Sequence, residues 1–144
     1  MGDMFYGCKF GTLDLSNWDT GKVQYMNGMF EACDVLSALG DISTWNTGNV
    51  ITMEKMFHNC HSLTELNISK WDTSKVENIK DMFNYCDNLQ TLDIRNFDLR
   101  NVTHADNMFA NCSKLLTLRL NNCNTDPINK IITSSNFPGP LDSE

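Results

Sequence analysis

Leu63-Thr64-Glu65-Leu66-Asn67-Ile68-Ser69-Lys70-Trp71-Asp72-Thr73-Ser74-Lys75-Val76-Glu77-Asn78-Ile79-Lys80-Asp81-Met82-Phe83-Asn84-Tyr85-Cys86 is the stretch whose reading decides the fold. The chain on either side is a copy of it or the worn edge of a copy. Trp18, Trp45, Trp71 and Phe97 recur at steps of 27, 26 and 26 residues, and Val23, Val50, Val76 and Val102 keep the same step. A Met-Phe pair returns as Met4-Phe5, Met29-Phe30, Met56-Phe57, Met82-Phe83 and Met108-Phe109. Cysteine closes each copy at Cys8, Cys33, Cys60, Cys86 and Cys112. A fixed period of this length identifies a repeat array, in which each copy buries its apolar residues against its neighbours.

Two periods meet inside one copy. Leu66 and Ile68 alternate with Glu65, Asn67 and Ser69, which predicts a short strand with one row inward and the other outward. Ile42, Ile68 and Ile94 add the β-branching that suits a strand. Val76, Ile79, Met82, Phe83 and Cys86 then fall at steps of 3, 3, 1 and 3, which predicts one face of a helix of about three turns. Asp72, Thr73 or Ser74 can cap it, and Ser74 with Glu77 fits a capping box. The expected architecture is an α/β solenoid of right-handed strand–helix coils, with a parallel sheet on one face and short helices on the other.

The expected division is a truncated half-copy at 1–8 and full copies at 9–33, 34–60, 61–86 and 87–112. A degenerate capping copy follows at 113–136, then a tail at 137–144. The second full copy carries one extra residue, Gly40, beside its strand. In the capping copy Cys123 and Ile128 keep their columns, while Ser134 and Ser135 replace Met-Phe. An outer face that meets water explains such decay. The half-copy lacks a strand, which leaves an open edge and suggests end-to-end self-association through the N-terminal coil.

The pattern Leu-x-x-Leu-x-Ile-x-x-Trp-Asp-Thr-x-x-Val-x-x-Ile-x-x-Met-Phe-x-x-Cys resembles the BspA-like class of leucine-rich repeats, the bacterial surface-protein repeat of about 26 residues. The likeness covers nearly residues 4 to 132. Asn46 in place of Asp, Leu99 in place of Thr and Ala105 in the Met/Ile column are local departures. The resemblance implies leucine-rich-repeat-like coils and a non-catalytic recognition or adhesion module of a bacterial cell-surface protein. It implies a protein or glycan partner on a host or neighbouring cell. It also implies a surface or secreted location as part of a longer chain, since neither a signal nor an anchor is read in this sequence. A rigid spacer and an intracellular protein–protein scaffold are the alternatives.

The outward strand row is the candidate binding face: Thr12, Asp14, Ser16, Asp41, Ser43, Glu65, Asn67, Ser69, Thr91, Asp93, Arg95, Thr117 and Arg119. It is acidic along most of its length and ends in Arg119, which suits a basic or hydroxyl-rich partner. Net charge of −7 and scattered Lys and Arg speak against nucleic acid. No apolar run is long enough for direct membrane insertion.

Neither a metal nor a cofactor is expected. Asp14, Asp41 and Asp93 lack a compact loop that could gather calcium's oxygen ligands, and the cysteines contain no Cys-x-x-Cys pair. The cysteine column reads as buried thiols. The Trp column reads as core rather than a sugar-stacking platform. His58, His61 and His104 sit at unrelated repeat positions, and no catalytic motif appears, so no enzyme activity is expected.

Overall fold

The structure is a computed structural model that describes residues 1–120 and the backbone of 141–143. Its regular elements are few. A 3-10 turn spans Ile42–Thr44, and three short strands, β1 (Thr91–Asp93), β2 (Thr117–Leu120) and β3 (Leu141–Ser143), form one parallel sheet in the order β1-β2-β3. Register sets Thr91 beside Thr117 and Asp93 beside Arg119. Elsewhere among the described residues, β pairing between neighbouring copies is limited to isolated parallel bridges: Thr12 with Ala38, Glu65 with Thr91, and Tyr25, Thr52, Asn78 and His104 in series.

The expected α/β solenoid is therefore overturned. Among the described residues there is no α-helix, and the leucine-rich-repeat-like layer of short helices opposite a continuous sheet is absent. The segment read as a helix is a run of overlapping turns. In one copy the Met29 N–H bonds the Met26 carbonyl, Glu31 bonds Gly28 and Cys33 bonds Phe30. Met56 to Met53, His58 to Lys55 and Cys60 to Phe57 repeat the series. In the first and last turn of each series the third residue is left-handed: Gly28 and Ala32, Lys55 and Asn59, Asp81 and Tyr85. Type II turns require that conformation, and an α-helix forbids it. The apolar step of three is the span of a turn, which mimics the helical step.

Turns in place of a helix free every second backbone N–H for the neighbouring copy. The amides of Phe5, Phe30, Phe57 and Phe83 donate to the carbonyls of Met29, Met56, Met82 and Met108, each at 2.9 Å. Side chains follow the same stacking. Phe5, Phe30, Phe57, Phe83 and Phe109 form one column of nearly parallel rings with centroids 5.4 to 5.6 Å apart. Trp45 stacks on Trp71, and their indole N–H groups donate to the carbonyls of Leu15 and Ile42. Each buried polar edge thus has a partner, as an aromatic core position demands.

The remaining columns are satisfied in the same way. Thr20, Thr47 and Thr73 are buried, and each hydroxyl donates to a carbonyl one copy on, at Asn46, Asp72 and Asp98. The thiols of Cys33, Cys60, Cys86 and Cys112 point at the carbonyls of Phe5, Phe30, Phe57 and Phe83 at 3.0 to 3.2 Å. The five cysteines among the described residues are free, four of them buried and Cys8 half-buried. Burial pushes the Cys112 thiol up to about 12 and raises Cys60 and Cys86 well above the usual thiol range. Cys123, Ile128, Ser134, Ser135 and most of the capping copy lie outside the described residues.

Candidate functional site

Gly40 is the residue around which the strand side departs from the repeat. In the copy before it, the N–H groups of Leu13 and Leu15 donate to Ala38 and Leu39. Gly40 then takes a left-handed φ of +70° and the chain turns back. The Asp41 N–H bonds the Ser16 hydroxyl, the Ile42 N–H bonds the Gly40 carbonyl, and Asp41 caps the 3-10 turn through the Ser43 N–H. A Cβ at position 40 would run into the Asp14 carboxylate and the Ser16 hydroxyl. The insertion is tied to its predecessor copy and drawn away from its successor.

The ladder breaks on that far side. Among the described residues no backbone hydrogen bond joins 36–42 to 63–69. Pairing resumes one copy later, where the Gln90 N–H donates to the Thr64 carbonyl and Glu65 bridges Thr91. The gap is an open cavity of about 500 Å³ lined by Ser37–Gly40 on one lip and Glu65, Leu66 and Asn67 on the other. Thr91, Leu92, Asp93, Thr117 and Arg119 extend it across the sheet. Leu66 registers the opening: it is half-buried, whereas Leu39, Leu92 and Leu118 in the same column are at most 3 % exposed.

Of the residues read as a binding face, the cleft gathers Glu65, Asn67, Thr91, Asp93, Thr117 and Arg119. Thr12, Asp14, Ser16, Asp41, Ser69 and Arg95 lie outside its lining, and Ser43, expected on the surface, is buried.

The acidic row has a structural occupation that the alternation did not reveal. Asp14, Asp41, Asn67 and Asp93 each accept the backbone N–H two residues on, at Ser16, Ser43, Ser69 and Arg95. These are Asx turns. The same geometry at Asp19, Asn46, Asp72 and Asp98 replaces the expected helix caps. Hydrogen bonds from Ser16, Ser43 and Arg95 hold the carboxyls of Asp14, Asp41 and Asp93 below the usual range. Arg100 hydrogen bonds bring Asp98 to about 2. Carboxylates so strongly held in the ionised form are unsuited to giving up a proton near neutral pH.

Glu65 differs from that row. It is exposed and has neither an ion pair nor a hydrogen bond to its side chain among the described residues. Arg95 is engaged with Asp93 at 2.8 Å. The histidines have their own carboxylates on the turn side: His58 Nδ1 lies 3.1 Å from Glu31 and His61 Nδ1 lies 2.6 Å from Asp87, with the Tyr85 ring edge-on to both. The repeat columns did not suggest these pairs, although positions 31 and 58, and 61 and 87, stand one period apart. Among the described residues no group of three His, Cys, Asp or Glu side chains could hold a metal, and no helix is long and apolar enough to cross a membrane.

A family model described as "Mycoplasma protein of unknown function, DUF285" matches residues 1–123. No curated protein matches the chain, and no solved structure matches it.

Proposed function

We propose that this chain, which belongs to the DUF285 family, is a non-catalytic recognition module that engages a macromolecular partner through the cleft on its strand side. The observation that carries the reading is the break in the ladder at Gly40. It exposes Leu66 and the unpaired Glu65 carboxylate in a concave site whose far wall carries Arg119. A spacer would need only the continuous stacking found on the turn side. The resemblance to BspA-like repeats agrees with attachment at a bacterial cell surface, to a protein or glycan.

The test is capture of partners from an array of matrix proteins, bacterial surface preparations and glycans by the intact chain and by a Glu65→Lys/Thr91→Lys variant. Both side chains are exposed and neither caps a turn, so the variant keeps its fold while the cleft changes sign. Saturable capture lost in the variant supports the reading. Capture equal in both contradicts it, and no capture favours the spacer.

A second reading rests on the opposite end of the stack. The carbonyls of Gly2, Met4 and Tyr6 stand where Asn27, Met29 and Glu31 accept hydrogen bonds, and no described residue bonds them. Met4, Tyr6 and Phe10 are exposed beside them. End-to-end self-association would cover this edge, and sedimentation across a hundredfold concentration range would reveal it.

A further inference from the structure

Resting on the cleft reading, we infer that the partner is an extended polypeptide segment that adds as a strand along Glu65, Leu66 and Asn67. In the paired copies the strand side uses its backbone in both directions: the Ser37 N–H donates to Gly11, and the Leu13 N–H donates to Ala38. At the third copy only one direction is used. The Thr64 carbonyl is taken by Gln90, while the N–H and C=O of Glu65 and Asn67 have no backbone partner among the described residues. Both residues line the cleft. Successive residues of a strand direct their backbone groups to opposite sides, so Glu65 and Asn67 present theirs together, toward the lip that Gly40 has drawn away.

Two donors and two acceptors at a two-residue step form the template of an exposed strand edge. Main-chain bonds supply affinity in strand addition, and side-chain pockets supply specificity. Leu66 lies between the two template residues, and its half-exposed side chain gives an apolar residue of the guest something to cover. Glu65 selects a cation nearby, in keeping with the net charge of −7. A glycan would find hydroxyl partners here, but it cannot continue the ladder in register. The favoured guest is an extended peptide in which basic and β-branched residues alternate.

The probe is Ac-Lys-Val-Lys-Val-Lys-Val-NH2, titrated into the full chain with amide hydrogen exchange as the readout. Its comparison is the same peptide methylated at alternate backbone nitrogens. Strand addition predicts saturable binding, slower exchange at the Glu65 and Asn67 amides, and a loss of at least about tenfold on methylation of the edge that pairs. Glu65→Lys should weaken the basic probe and strengthen Ac-Glu-Val-Glu-Val-Glu-Val-NH2, without altering the exchange of the Phe57 amide. Equal binding of the methylated peptide, protection confined to Thr91 and Arg119, or no saturable binding at millimolar probe would each overturn the inference. Recognition by the cleft would still stand if the array showed capture lost in the Glu65→Lys/Thr91→Lys variant; if that capture were equal, the cleft reading itself would fall.

Discussion

The two sides of the stack are built from the same repeat and behave differently. On the turn side, the amides of Phe5, Phe30, Phe57 and Phe83 each donate to the Met carbonyl of the next copy, and the ring column passes unbroken from Phe5 to Phe109. On the strand side, the ladder stops after Ala38 and Leu39 and resumes at Glu65. A single extra residue accounts for the difference. The turn side holds its register through three columns at once, of rings, thiols and backbone amides. The strand of the second copy is held by a few bonds, and the turn at Gly40 sends the Asp41 N–H to the Ser16 hydroxyl. Continuity therefore resides where the interactions are redundant, and an opening forms where they are not.

The largest expected effect is on the turn side and comes with pH. Cys60, Cys86 and Cys112 have thiol pKa values raised by burial. Their contribution to stability is fully present below the unfolded-state value near 9. As pH rises above it, the unfolded chain releases thiol protons that the folded chain retains. Stability should fall by about 1.4 kcal/mol per pH unit for each such thiol. Chemical denaturation at pH 8, 9 and 10 checks this, and Cys86→Ser should flatten the slope by one thiol's share. Acid acts oppositely. Carboxyls lowered in the fold, Asp98 to about 2, support stability above the unfolded value near 3.8 and lose it as pH falls toward 2. That loss is small, because Asp98 is largely solvated.

Phe57→Ala should cost about 3 to 5 kcal/mol, since it removes a ring stacked on both faces from a fully buried column. Urea unfolding measures it, and a loss below about 1 kcal/mol would show that the ring column is not the source of turn-side continuity. Deleting Gly40 sharpens the comparison from the other side. With the period restored, the second copy should pair with Glu65 and Asn67, raise stability by about 1 to 2 kcal/mol and abolish probe binding. The smallest effect is at Lys55, held left-handed at φ +55°. Lys55→Gly relieves that strain and should stabilise by at most about 1 kcal/mol, because added backbone freedom in the unfolded chain offsets part of the gain.

Much of the packing is visible in the columns. Residues one period apart, such as Phe57 and Phe83 or Trp45 and Trp71, do stack on one another. Turns stand where helices are expected for a definable reason. An apolar step of three fits both a helix face and a chain of turns, and the sequence weighs them only through its left-handed positions. Gly7, Gly28, Asn59, Asn107 and Asn111 mark those columns openly, but Ala32, Lys55, Asp81 and Tyr85 occupy the same places and hide the signal. At the site, alternation placed Glu65, Thr91 and Thr117 on one face, where they do lie along the cleft. It could not show that Asp14 and Asp41 are engaged by their own backbone, because an Asx turn and an outward carboxylate have the same pattern. Gly40 stands out as an insertion, but whether an extra residue bulges, slips the register or opens a gap depends on which hydrogen bonds it redirects.

The most direct measurement is residue-resolved amide hydrogen exchange of the unliganded chain under native conditions. A turn side that is continuous and a strand side that opens at Gly40 predict slow exchange at Phe30, Phe57 and Phe83 and fast exchange at Glu65 and Asn67. Protection of Glu65 and Asn67 equal to that of Phe57 would mean that the ladder is closed there, and would contradict both the cleft and the function assigned to it.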